Sequence, residues 1–91
     1  MNNTYRLPYL IHCEKGNLAF DDGIRFDSKI TINESSDLEE VKKFFIKLFH
    51  RSGDLTDDLV IEKTDKIVLK WTMRYGKLSP RKCFCELEQI R

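Results

Sequence analysis

Glycine-rich stretches and net charge are both lacking in this chain, and each shortage removes a class of protein. The four glycines stand singly at turn-like positions, so there is no glycine-rich loop to cradle a phosphate. No internal repeat, low-complexity tract or linker interrupts the chain, which reads as one domain over residues 1–91. Sixteen Lys and Arg against 15 Asp and Glu leave a formal charge of +1. That balance argues against a strongly basic DNA-coating protein and against a strongly acidic nucleic-acid mimic. Apolar runs such as Phe44-Phe45-Ile46 and Ile67-Val68-Leu69 are too short to span a bilayer. The start, MNNTYRLPYL, lacks the basic-then-apolar pattern of a secretory signal, so the expectation is a cytoplasmic protein with no membrane contact.

Cysteine is also sparse. Cys13, Cys83 and Cys85 are an odd set, and Cys83 and Cys85 on one strand would sit about 7 Å apart in Cα, beyond disulfide range. A reducing compartment is the simpler reading. With His12 or His50 the thiols invite a zinc question, but no C-x₂₋₄-C knuckle is present. Small thiols filling a core are expected instead, with no metal and no cofactor.

What is present is charge, unevenly placed. Residues 1–31 are neutral, residues 32–65 carry −4 and residues 66–91 carry +5. Such a division suits a surface that reads a partner.

The hydropathy pattern predicts an α+β fold with an antiparallel sheet of about five to six strands, in the order βββαβββ, and one helix packed on one face. Tyr5, Leu7, Tyr9, Ile11 and Cys13 alternate with more polar neighbours, a strand that Pro8 places at an edge. Asp22-Gly23 reads as a hairpin turn, and Ile24 to Ile32 as another alternating strand. Ser36 with Glu39 forms a capping box, and Leu38, Val41, Phe44, Phe45, Leu48 and Phe49 recur at helical spacing. Gly53 is a stop, which places the helix at about 37–51. Leu59–Lys63, Lys66–Tyr75 and Lys82–Ile90 then read as strands joined by tight connections, which only antiparallel pairing permits. A small curved barrel capped by the helix is the alternative.

The strand Lys66–Tyr75 presents an apolar odd face and a largely basic even face. Lys66, Lys70, Arg74, Lys77, Arg81 and Lys82 form a candidate basic binding surface. Its strand cations recur about 13 Å apart, near two nucleotide steps. Glu86 and Glu88 would offset it by pairing with Lys70 and Arg74. Asp54, Asp57, Asp58, Glu62 and Asp65 form a candidate acidic surface that lacks the spacing of a calcium loop. His12, His50, Lys70, Arg74 and Tyr75 are the kind of side chains that small metal-independent ribonucleases use, but no nucleophile–base pair has a recognisable spacing. Leu10 and Val68, apolar on polar faces, are candidate contacts in a homodimer; a monomer is the other option.

One resemblance adds to this. Ile30-Thr31-Ile32-Asn33-Glu34-Ser35-Ser36, then Val41–Phe49, then Gly53 resembles the strand, Ser/Glu-rich cap and short Phe-rich helix of some phage-encoded anti-CRISPR proteins. It covers about a quarter of the chain. Those proteins share no common motif, so the resemblance implies a small inhibitor of a host defence machine and assigns no residue a role. The leading expectation is a non-enzymatic inhibitory module that binds a protein or a protein–nucleic-acid machine. A nucleic-acid-binding domain using residues 66–82 is second, and a ribonuclease third.

Overall fold

A computed structural model describes residues 3–54, 56–74 and 79–91. The strands are β1 (Asn3–Arg6), β2 (Leu10–Cys13), β3 (Leu18–Ala19), β4 (Ile30–Ile32), β5 (Val60–Lys63), β6 (Ile67–Met73), β7 (Arg81–Glu86) and β8 (Glu88–Ile90). Two helices, α1 (Asp22–Asp27) and α2 (Leu38–Arg51), complete an α+β fold. Every strand pair is antiparallel. The strands make two sheets, β4-β1-β8 and β3-β2-β7-β6-β5. Among the described residues the sheets stay open, so the barrel alternative does not form.

Helix α2 and strand β6 build the core as their periodicities require. Val41, Phe45, Leu48 and Phe49 lie on the buried stripe of α2. They meet the odd face of β6, where Ile67, Leu69, Trp71 and Met73 are buried. Phe49 stacks on Trp71 with ring centroids 4.8 Å apart, and Phe20 stacks on Phe49 at 5.9 Å. All three cysteine side chains sit on this side: Cys83 and Cys85 are buried and Cys13 is half-buried. The helix cap differs from the expected box. Asp37 is the N-cap and accepts from Glu39 N. Ser36 is committed to the preceding turn, where its Oγ accepts from Asn33 N at 2.9 Å. Gly53, with φ of 90°, ends the helix as anticipated.

Residues 22–32 depart furthest from expectation. They form a helix and a short strand, where a hairpin turn and one long strand were expected. A type I′ turn at Asp22-Gly23 needs positive φ at both residues. Gly23 has none, since the positive-φ glycines among the described residues are Gly16 and Gly53. Asp21 takes over locally: its Oδ1 accepts from Gly23 N at 2.8 Å and Ile24 N at 3.4 Å, which starts a helix. Ile24 and Ser28, four residues apart, are both buried, while Phe26 between them is 70% exposed.

The first and last expected strands are each broken, and the breaks face one another. Arg6 pairs with Glu88 and His12 with Phe84. Continuing the second register places Leu10 opposite Glu86. Three residues, Leu7 to Tyr9, therefore stand against the single residue Leu87. That excess forces a bulge-like corner, which sends β1 and β8 into one sheet and β2 and β7 into the other. Pro8, which has no amide donor, belongs at this interruption and not on an edge strand. Indeed β1 is central in its sheet and β2 is internal in the other. The corner is held from inside: Leu7 N donates to the buried Ser28 Oγ at 2.9 Å, and Leu87 N to Ile67 O at 2.8 Å.

Candidate functional site

The even positions of β6 and β7 point away from α2 and form the outer face of the five-stranded sheet. One row crosses four strands: His12 faces Phe84, Phe84 faces Lys70, and Lys70 faces Val60. The His12 and Phe84 rings stack at 4.9 Å. In the next row Thr72 faces Lys82, and Glu14 N donates to Lys82 O. On the other side Val68 lies between Glu86 and Glu62. The first two rows line a shallow concavity of about 540 Å³, with Phe84, Val60 and Lys70 among its lining residues. Val68 and Glu86 line a neighbouring depression that shares His12, Glu62, Lys70 and Phe84. Phe84 is 49% exposed and Val60 53%.

The two charged surfaces proposed from sequence meet here. Lys70 Nζ lies 2.8 Å from Glu62 Oε1, Lys66 Nζ 3.6 Å from Glu86 Oε2, and Arg74 Nη2 3.5 Å from Asp57 Oδ1. Each of these three cations is thus matched by a carboxylate, two of them from the acidic segment. All six groups are about half exposed or more, so each pair contributes at most about 1 kcal/mol. Among the described residues, Lys66, Lys70, Arg74 and Lys82 stand against Glu14, Asp57, Asp58, Glu62 and Glu86 on this face, a net of −1.

Asp58 is a structural anchor as well as a surface charge. Its Oδ1 accepts from Thr72 N and Thr56 Oγ1, both at 2.9 Å, and its Oδ2 accepts from Thr72 Oγ1 at 2.5 Å. Partial burial opposes ionisation, but the hydrogen bonds outweigh it, led by Thr72 Oγ1, and hold the carboxyl below its usual range.

Other candidates lie elsewhere. Asp54 is only 5% exposed, not on the acidic surface. Gly53 turns the chain inward, Asp54 N donates to Phe49 O, and Asp54 Oδ2 accepts from Ser52 Oγ at 2.9 Å. Asp65 stays in the β5–β6 turn, bonded to Thr64 Oγ1. Arg81 shares the inward parity of Cys83 and faces Met73, away from Lys82. Lys77 and Tyr75 lie outside the described residues. Glu88 does not pair with the basic strand, because the break at Leu87 carries it into the other sheet. There its hydrogen bond from Arg6, with Arg25 beside it, holds the carboxyl below its usual range. His12 is on the outer face and His50 on the helix side of the sheet, so the two are not brought together. Among the described residues, no three His, Cys, Asp or Glu side chains are grouped to hold a metal ion.

Phe84 and Val60 were not singled out from sequence. The signal for Phe84 was its parity: if Cys83 and Cys85 face inward, the residue between them faces outward. No protein-family model matches the chain, and neither a curated protein nor a solved structure matches it.

Proposed function

We propose that this chain is a non-catalytic binding module, acting in the cytoplasm as an inhibitor of a protein or protein–nucleic-acid machine. Its working surface is the concave outer face of the five-stranded sheet. The observation that carries this reading is the half-exposed row of His12, Phe84 and Val60, set among ion pairs of alternating sign. Exposed aromatic and aliphatic groups with a charged rim suit a protein partner that inserts an apolar side chain between polar contacts. The described charges of this face sum to −1, which favours no general attraction to a phosphate backbone. Phage-encoded inhibition of a host defence complex is the biological setting favoured by the resemblance in the cap and helix α2.

Affinity capture from host lysate, with and without nuclease, tests this directly. Capture is expected to survive nuclease and to fall about tenfold or more in Phe84→Ala, the size of a central anchor. Phe26→Ala, on the exposed side of α1, is expected to change nothing. Urea denaturation of Phe84→Ala is expected to show a loss of about 1 kcal/mol, as only half of the ring is buried. Undiminished capture by Phe84→Ala and by charge reversal of Asp57, Asp58, Lys70 and Arg74 sinks the proposal.

A second reading has one observation in its favour. The stacked His12–Phe84 pair, with Lys70 alongside and Lys82 carrying no ion pair to a described residue, matches the chemistry of a stacking platform for single-stranded nucleic acid. It predicts a low-salt gel shift that Lys70→Glu and Phe84→Ala both abolish. A flat titration removes it.

A further inference from the structure

Cys13 on β2 and Cys83 on β7 are direct partners across the strands. Glu14 N donates to Lys82 O in the neighbouring pair, so alternation makes Cys13–Cys83 a non-hydrogen-bonded pair. Such pairs have Cα atoms about 4.5 Å apart, within the span that a disulfide bridges. The side chains already converge: Sγ lies 2.7 Å from Sγ in a thiol–thiol contact. Cys13 is half-buried, at the end of its strand where the chain turns through Gly16, whereas Cys83 is buried. Cys85, fully buried opposite Leu69, belongs to the same strand as Cys83 and is not its cross-strand partner.

We propose that Cys13 and Cys83 form a reversible dithiol–disulfide site, oxidised by a small disulfide of the glutathione class. The Cys13 thiolate attacks one sulfur of oxidised glutathione; that S–S bond breaks and one glutathione leaves. Cys83 then loses its proton and attacks Cys13 Sγ, forming the intramolecular disulfide and expelling the second glutathione. Two cysteine thiols are oxidised by two electrons, one glutathione disulfide is reduced to two thiols, and those thiols take up the two protons. Exposure assigns the order. Burial, aided by the adjacent Cys13, pushes the Cys83 thiol up to about 12, which suits it to the resolving role and not the first attack. Burial likewise holds Cys85 well above the usual thiol range, leaving it a bystander.

The bond would tie residues 70 apart and lock β2 to β7 beside the His12–Phe84 row. A cross-link spanning that much chain restricts the unfolded state strongly. The site rests on strand register and the contact between the two thiols, and stands whether or not the outer face binds a partner.

The test is equilibration of the full chain with excess oxidised glutathione near neutral pH, followed by denaturing alkylation, intact mass and peptide mapping. The expected product is a monomer lighter by two hydrogens, with Cys85 alone alkylated and a Cys13–Cys83 cross-linked peptide that dithiothreitol releases. Its melting temperature is expected to rise on the order of 10 °C. Cys83→Ser is expected to stop at a glutathione adduct on Cys13, and Cys85→Ser to form the disulfide as the wild type does. Three alkylated thiols, a Cys83–Cys85 bond or a disulfide-linked dimer would each overturn the assignment. So would a Cys83→Ser chain that is folded by circular dichroism yet takes up no glutathione.

Discussion

The two faces of β6 and β7 are made by the same alternation but obey different rules. On the inner face, Ile67, Leu69, Trp71, Met73, Cys83 and Cys85 are all buried, in one core cluster with the apolar stripe of α2. On the outer face, charges alternate in sign around Phe84 and Val60, and the side chains remain about half in water. Burial makes each inner contact costly to lose, because a cavity remains where water cannot relax the loss. Exposure makes each outer contact cheap, because water substitutes for it. The inner face is therefore where stability resides, and the outer face contributes little to it.

The largest expected effect sharpens that contrast. Trp71→Ala removes the ring stacked on Phe49 and should cost about 3–5 kcal/mol. Native domains are stable by only about 5–15 kcal/mol, so urea denaturation should show a chain near its limit. A loss below about 1 kcal/mol would break the distinction between the faces.

Asp58→Ala should fall between the extremes, at about 1–2 kcal/mol, since it leaves Thr72 N without its acceptor. The same carboxyl, with Glu88, gives a pH signature. Both are held below their ordinary values in the folded chain. Their contribution is present above the unfolded carboxyl range near pH 4 and is lost as pH falls through the lower folded values. Urea midpoints followed downward from about pH 5 should drop, and drop less in Asp58→Ala.

The smallest effect belongs to the ion pairs. A double-mutant cycle on Lys70 and Glu62 should give a coupling of about 0.2–1 kcal/mol that shrinks with added salt. A salt-insensitive coupling above about 2 kcal/mol would mean that this face is structurally as demanding as the core.

Much of the fold was legible where the signal was local. Helix α2 follows from apolar spacing and Gly53, and the inward and outward parity of β6 from alternation. Residues 24–32 misled because their apolar spacing fits a strand, while a single Asp21 cap decided for a helix. The corner at Pro8 was half legible: a proline marks an interruption, but its counterpart Leu87 carries no mark at all. Of the candidate site, the basic and acidic residues were legible as types. Their mutual pairing was not, because Glu62, Lys70 and Phe84 become neighbours only through strand register.

By itself, then, the sequence determined which side chains share a face of β6, that α2 is an amphipathic helix ending before Gly53, and that the total charge is close to zero. These depend on contacts within a few residues. Only the tertiary structure decided that the acidic middle and the basic final segment interleave into one face, that Phe84 stands exposed at its centre, and that Cys13 meets Cys83. Those are choices of partner between distant strands. They are made by the bulge-like corner and by core packing against α2, neither of which any single segment encodes.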